Sequence, residues 1–421
     1  MWCGLLGVFV LLATASCQKT TVVTAHVAPA ESWWRGNTHT HTLWSDGDDF
    51  PEAVAEWYKR NGYQFLSITD HNTLASAERW LRIPPNGPAR EAYTKYRERN
   101  DTRWVEERRS GDTLFVRLKR LPEYRARVEE RGRFVLVPGE EITQYLAGRG
   151  AHMNALNLAD AVSEQTGTSL VEILRKDLDS LRAQEGRTAR EIVAVLNHPN
   201  FLWSQTAEDL IALTDLRFFE VYNGHPLVNI LGDSLRPGTE RIWDIVLTRR
   251  LTSDGAMLYG VATDDAHDYH EFAPRHRNPG RGWIMVRAST LAADSLMRAM
   301  ERGDFYASTG VTLSELRRQG QRLTVAIMGD AGVSYTTQFI GTRRGYDTTS
   351  VARHDSAGTP ITRRYSNEVG AVLSEVRGTS ASYTMRGDEV YVRARVVSTK
   401  PKVNPSYAGE MEMAWTQPVQ P

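Results

Sequence analysis

Phe65-Leu66-Ser67-Ile68-Thr69-Asp70-His71 is an apolar run of strand character that stops on an acid and a histidine. The arrangement recurs along the chain. Phe134 to Val137 leads to Pro138-Gly139-Glu140-Glu141, and Ile192 to Leu196 leads to Asn197-His198-Pro199. Phe218 to Tyr222 leads to Asn223-Gly224, and Tyr259 to Thr263 leads to Asp264-Asp265. Amphipathic stretches lie between them. Phe50-Pro51-Glu52 opens one, with Val54, Ala55, Trp57 and Tyr58 suited to a single face; Ser169 to Gln184 and Glu240 to Leu251 are others. Strands alternating with helices predict an α/β fold with a parallel sheet. In a β/α barrel the C-terminal strand ends gather at one face, so polar residues remote in sequence can meet there. About seven strands in a distorted barrel are expected.

The polar residues at these strand ends form one inventory. It comprises His39-Thr40-His41 with Asp46, Asp70-His71, Glu141 with His152, His198, and Asp265 with His267. Imidazole and carboxylate are the donors of hydrolytic zinc, manganese and iron sites, and no cysteine is among them. Histidines two apart on an extended chain project to the same side, so His39 and His41 can reach one ion. A divalent ion lowers the pKa of bound water from about 16 towards 7, and a carboxylate bridging two ions about 3.5–4 Å apart suits in-line attack on phosphorus.

In order, the chain reads His39/His41, Ser45-Asp46-Gly47, Thr69-Asp70-His71, Pro138-Gly139-Glu140-Glu141, His152, Asn197-His198-Pro199 and Asp265-Ala266-His267. This series, over about Trp34 to Tyr306, resembles the PHP (polymerase and histidinol phosphatase) superfamily of metal-dependent phosphoesterases, in particular its exported CehA/McbA-like branch. The resemblance implies a (β/α)7 barrel holding two or three divalent ions (Zn, Mn or Fe). His39, His41, Glu141 and Asp265 would hold the first. Glu141 would bridge to a second held by His152 and His198, and Asp46, His71 and His267 would hold a third. Glu141, Asp265 and His198 are the expected catalytic residues. Asp70 and Asp264, beside ligands, are expected to orient imidazoles.

Outside this set, Asn223 and His225 follow a strand and are candidates to line a substrate site. Arg281, in Pro279-Gly280-Arg281-Gly282-Trp283, could grip a phosphate through its guanidinium fork or serve a structural ion pair. His270 and His276 flank the Asp265/His267 loop. Of the 11 Trp residues most are packing, and Trp44 is the best placed to touch substrate.

Lys+Arg and Asp+Glu balance at 51 each, so no global field draws nucleic acid or an anionic membrane. Residues 1–17 carry an uncharged apolar run, Gly4 to Ala13, then Thr14-Ala15-Ser16-Cys17. This is the length of a signal-peptide core and too short to span a bilayer. It resembles a lipoprotein leader, implying export and a periplasmic or membrane-anchored protein acylated at Cys17. Cys3 and Cys17 are the only cysteines, so no intramolecular disulfide is expected after cleavage. Residues 18–32, including His26, read as a tether.

Residues 33–310 are expected to form the barrel. Within it, 74–132 is a charge-dense insertion, read as largely helical, with a solvated surface and an anionic-substrate collar as the two candidate roles. After Gly310 the pattern alternates between apolar and polar residues, as in Val390-Tyr391-Val392-Arg393-Ala394-Arg395-Val396-Val397. Residues 311–421, which include His354, are expected to form an antiparallel β-sandwich of about 100 residues.

The expected function is a metal-dependent phosphoesterase that turns a metal-bound hydroxide on a small phosphate monoester or diester, with no nucleic-acid partner and no membrane contact beyond the lipid. Hydrolysis of a carbamate, ester or amide is the other enzymatic reading. A non-catalytic periplasmic metal- or carbohydrate-binding protein is the reading outside enzymes.

Overall fold

Helix Leu170–Thr188 shows how local sequence sets the framework. The Ser169 side chain accepts the Glu172 amide as N-cap, and Leu170, Ile173, Leu174, Leu178 and Leu181 recur at helical spacing and are buried. Helix Pro51–Arg60 begins on proline, whose missing N–H costs nothing in the first turn, and ends on Lys59 and Arg60. A computed structural model describes residue 1 and residues 31–421. The leader, Cys17 and the tether up to residue 30 lie outside the described residues. Ser32, assigned to the tether, already pairs with Ala288 in strand Ser32–Asn37.

The fold is mixed α/β with several sheets. In one, Ser32–Asn37, Phe65–Leu66 and Val135–Leu136 run parallel side by side. In another, Val193–Leu196, Phe218–Asn223 and Tyr259–Thr263 do the same. Parallel bridges between Thr40 and Ala266, and between His71 and Glu141, join the two groups just beyond their strand ends. The expectation of a wholly parallel sheet needs correction. Gly139–Leu146 and Arg149–Leu156 form an antiparallel hairpin, and the latter strand is antiparallel to Val193–Leu196. The cause is a two-residue turn, Ala147-Gly148, with both residues at positive φ (51° and 78°), which returns the chain directly with no crossover helix. Trp283–Ala288 also runs antiparallel to Ser32–Asn37.

The insertion is not mainly helical. Helices Pro88–Arg99 and Leu121–Val128 accompany a three-stranded antiparallel sheet of Arg79–Ile83, Thr113–Leu118 and Glu107–Ser110. Leu114, Val116 and Leu118 alternate inward there, a strand period within charged surroundings. Many of its cations are engaged locally. Arg117 binds Glu106 and Glu123, Lys119 binds Glu106, and Arg108 covers the Trp80 ring. These contacts favour the solvated-surface role over an anion collar.

Beyond residue 310 all the strands are antiparallel, and four of the nine join the sheet that carries Ser32–Asn37. Phe305–Ser308 pairs with Met411–Thr416, which pairs with Glu389–Pro401, then Tyr335–Arg343. Pairing is therefore continuous across position 310. One hydrophobic cluster holds Phe219, Trp243 and Leu196 together with Val390, Tyr391 and Trp415. Among the described residues no helix is long and apolar enough to cross a membrane.

Candidate metal centre

His39 and His41 stand just past strand Ser32–Asn37, on a segment held extended from both sides. The His41 amide donates to Ala266, and the Thr69 amide donates to Thr40. Ser45, Asp46 and Gly47 lie in the turn that follows. A Cβ at Gly47 would sit 2.6 Å from the His41 carbonyl, which is why this turn ends on glycine. Glu141 and His152 are diagonal neighbours across the hairpin, His152 standing opposite Thr143; here too a glycine makes room, since a Cβ at Gly150 would lie 2.9 Å from the His152 Nε2. His198 follows strand Val193–Leu196. Asp265 follows Tyr259–Thr263 in a left-handed conformation (φ 51°), a strained state for a non-glycine residue that persists where the surroundings enforce it. Its amide donates to His39 O at 3.0 Å.

These side chains converge. The His39 and His41 Nε2 atoms are 3.2 Å apart, and each lies 3.2 Å from Asp265 Oδ1. They are 3.4 and 3.3 Å from Glu141 Oε2. His152 Nδ1 and His198 Nε2 are 3.0 and 3.5 Å from Glu141 Oε1. His71, His267 and His41 surround Asp46 Oδ1 at 3.5, 3.3 and 3.7 Å. Four overlapping groups have metal-ligand spacing: His39/His198/Asp265, His39/His41/Glu141, Glu141/His152/His198, and His41/Asp46/His71/His267. The last differs from the expected third set by including His41, which thereby touches two groups. All are buried except Asp46 and His71, which open to solvent.

Hydrogen bonds fix which nitrogen of three imidazoles faces inward. His39 Nδ1 donates to Glu220 at 2.6 Å. His41 Nδ1 meets Ser45 Oγ at 3.3 Å, whose hydroxyl donates to Asp70 at 2.6 Å. His267 Nδ1 donates to the Asp265 carbonyl at 2.9 Å. In each case Nε2 is left with its lone pair towards the cluster, the state a metal requires.

Glu220 was not among the expected residues. It is fully buried in strand Phe218–Asn223, between His39 and the His198 amide, which donates to it at 2.8 Å. Thr263 and Asn223 also donate to it. The signal was a lone acid inside Phe218-Phe219-Glu220-Val221-Tyr222, where a strand buried on both faces needs a reason to carry charge. Asn197, which donates to Glu141 Oε1 at 2.8 Å, and Thr143, 2.6 Å from His71 Nδ1, were likewise missed.

The direct imidazole-orienting role expected of Asp70 and Asp264 is corrected. Asp70 accepts the Thr42 amide and hydroxyl and the Ser45 hydroxyl, so it ties down the 42–45 turn and acts on His41 only through Ser45. Asp264 accepts the amides of Gly280, Arg281 and Gly282 and the Tyr58 hydroxyl, and holds that loop. Arg281 is not a phosphate ligand. It is wholly buried, and its guanidinium donates to the carbonyls of Gly224, His276 and Ala273 and to Asn404. Trp44 is buried too, donating to Lys119 O, so its face does not reach a substrate. His270 links Lys95 to Asp48 O, and His276 lies near Asp268 and Glu271. Asn223 touches Glu220 and Asp265 from beneath. His225 lies at the rim, its ring 5.8 Å from His267; its Nδ1 accepts the Leu227 amide, so the neutral ring carries its proton on Nε2.

The electrostatics are those of a place for cations. Burial by itself raises the Glu141 carboxyl, yet His71, His39 and His152 hold it well below the usual range. Asp265 is lowered in the same way against burial, by His39 and His41. Burial lowers His39, but Asp265, Glu220 and Glu141 outweigh it and raise the ring well above its ordinary value. His71 rises to about 9 against burial through Glu141. His41, buried and beside His267 and His71, falls to about 3. Asp46, Glu141, Glu220 and Asp265 give the pocket four negative charges when its imidazoles are neutral, the charge that two divalent ions cancel. Glu141 Oε2 and both His152 nitrogens are buried without a hydrogen-bond partner. Orphaned carboxylate and imidazole atoms at one point are costly in a protein interior and fit a missing cation.

No family model matches the chain, and no curated protein does. Among solved structures, a two-domain protein from Bacteroides vulgatus containing a predicted PHP-like metal-dependent phosphoesterase is 15% identical, with 96% of this chain and 100% of that one covered and a TM-score of 0.39. A protein assigned as a metal-dependent phosphoesterase from Bifidobacterium adolescentis is 15% identical over 55% of this chain and 87% of its own, at TM-score 0.28. An amidohydrolase from Chromobacterium violaceum, with sulfate and no metal, is 12% identical over 58% and 93%, at 0.27. The ordered series of His, Asp and Glu motifs and the meeting of the side chains they carry are properties of this chain's own sequence and fold.

Proposed function

We propose that this protein is a metal-dependent hydrolase acting on a phosphate monoester or diester. The observation that carries the reading is the convergence of His39, His41, Asp46, His71, Glu141, His152, His198, Asp265 and His267 on one pocket with metal-ligand spacing. A donor set of nitrogen and oxygen without sulfur suits Zn, Mn or Fe. His39, His41, Glu141 and Asp265 would hold one ion, and Glu141, His152 and His198 a second. Asp46, His71 and His267 would hold a third, with His41 within reach of both the first and third positions. Bound divalent ions would supply an activated water and neutralise charge on phosphoryl oxygens.

The protein's own contribution is to position. Glu220 fixes His39 and the His198 backbone at once, so it sets two ligands with one side chain. Asn197 holds one Glu141 oxygen and leaves the other unpartnered. His225 presents an Nε2–H donor at the rim, able to bind a substrate oxygen. We also read the strand groups joined by the Thr40–Ala266 and His71–Glu141 bridges as a distorted (β/α)7 barrel. Residues 311–421 are read as a sandwich built onto it. Export and anchoring through Cys17 remain part of the proposal on the strength of the leader.

The test is elemental analysis of purified protein with turnover on p-nitrophenyl phosphate, bis-p-nitrophenyl phosphate, an aryl carbamate and an aryl ester. We expect two or three equivalents of metal and phosphate-ester turnover that a chelator abolishes. Turnover of the carbamate or ester alone would move the chemistry to carbon. Bound metal with no turnover on any of the four would overturn the enzymatic reading.

A further inference from the structure

The loop after His198 has two faces. On one, the Phe201 ring lies 5.1 Å from His198 and 5.5 Å from His225. On the other, Asn200, Leu202 and Trp203 line a cleft of about 580 Å³. The opposite wall is the antiparallel hairpin Ser350–His354/Pro360–Tyr365, contributed by the C-terminal region. Leu202 and Trp203 are consecutive residues in the left-handed region, with φ of 50° and 56°. L-residues with large side chains avoid that conformation, and two in succession persist only where the surrounding contacts impose them.

The strain holds an apolar surface in solvent. Leu202 is 61% exposed, and so is Leu227. The antiparallel bridge between Phe201 and Val228 sets these two leucines opposite one another. Trp203 carries the Arg236 guanidinium over its ring at 4.8 Å. The charges of the cleft are unequally engaged. Glu208 accepts from Thr362 and Tyr365, and Asp209 caps its own helix through Thr206. Arg149 and Arg236, also lining the cleft, donate to Ser204 O and Asp233 respectively, and Arg149 also lies 3.6 Å from Asp209; each keeps further guanidinium donors. Three arginines, Arg149, Arg236 and Arg363, line the cleft against two acids, Glu208 and Asp209, and both acids already accept from protein donors, so the cations keep capacity for an anion.

From these observations we propose that the cleft binds a flat organic anion, the part of the substrate remote from the reacting group. The ring lies on Leu202 and Trp203, and its negative charge meets Arg149 and Arg236. The inference rests on the hydrolase reading only for the word substrate; the cleft, its strain and its charges stand apart from any metal. It also gives the C-terminal hairpin a role in recognition.

The test uses 8-anilinonaphthalene-1-sulfonate, a fused ring bearing one sulfonate, titrated into the full-length metal-free protein and followed by fluorescence. One saturable site is expected. Leu202→Asp and Arg236→Glu should each weaken it by about tenfold or more. Arg322→Glu, on an exposed strand away from the cleft, should leave it alone. In the metal-loaded protein the dye should raise KM for bis-p-nitrophenyl phosphate and spare kcat. Absence of saturable binding, or equal affinity in both cleft variants, would overturn the proposal. A fall in kcat at constant KM would overturn the link to substrate. Variant-sensitive binding in a protein with no turnover would uphold the cleft and remove the hydrolase reading.

Discussion

Two of the buried charge clusters among the described residues are built on opposite plans. Around Glu141 the side chains approach one another at 3–4 Å, yet Glu141 Oε2 and both His152 nitrogens lack any hydrogen-bond partner. Around Asp244 every group is answered by protein. Arg393 donates to both Asp244 oxygens at 2.8 Å, Tyr391 donates to the same carboxylate, and Glu240 takes the remaining face of the guanidinium. The second cluster welds the helix Thr239–Leu251 to the C-terminal sheet. The first is left open. Buried charge closed by protein is architecture; buried charge whose atoms keep no protein partner has the character of a ligand site.

Replacing Glu141 strikes the open cluster at its centre. Glu141→Gln should lower kcat/KM by about 10³-fold or more, with metal content falling in elemental analysis, since the one carboxylate that belongs to two of the ligand groups would lose its charge. The metal-free variant should melt somewhat lower than the metal-free parent, because His71, His39 and His152 stabilise the Glu141 charge there. A variant that keeps both metal and activity would erase the distinction between the clusters.

Breaking the closed cluster should do the reverse. Asp244→Ala leaves the Arg393 guanidinium buried without its bidentate partner. It should cost about 3–5 kcal/mol in chemical denaturation. Metal bound per folded molecule should not change. Loss of metal from protein that remains folded would show the two clusters to be coupled.

Glu220→Gln sharpens the comparison, because Glu220 is closed by protein and yet belongs to the open site. Metal affinity should weaken by about 10–100-fold with the ligands all present. A competition titration against a coloured chelator measures this, and unchanged affinity would reduce Glu220 to a packing residue.

The smallest effect concerns buried acids that no cation answers. Burial raises Glu140 to about 7, with Asp177 adding to the rise, and burial raises Asp177 to about 7. The native state then holds protons that the unfolded chain has released once pH passes the ordinary carboxylate range. Stability from these groups is therefore present at low pH and lost as pH rises towards 7. In metal-free protein the difference between Asp177→Asn and the parent should change by about 1–3 kcal/mol from about pH 5 to about pH 8, with the variant losing less. Parallel pH profiles for the two proteins would refute it.

Much of this was legible in the chain itself. The ligand candidates were readable because most follow an apolar run, and a polar residue at a buried strand end is conspicuous. The hairpin was not, because Ala147-Gly148 is a weak turn signal and no apolar run marked the strand that carries His152. The insertion misled because its fifteen basic residues obscured the alternation of Leu114, Val116 and Leu118. Arg281, Trp44, Asp70 and Asp264 were credited with site roles from proximity in sequence; the fold directs them to backbone amides and carbonyls instead.

The residue types and their order determined by themselves that imidazoles and carboxylates would be available at the ends of strands, because periodicity and donor chemistry are local properties. Which nitrogen faces inward, which acid steadies His39, and which arginine is free were decided by tertiary structure alone. Each depends on a partner that folding brings from a distant part of the chain, as Glu220 is brought to His39 and Asn404 to Arg281.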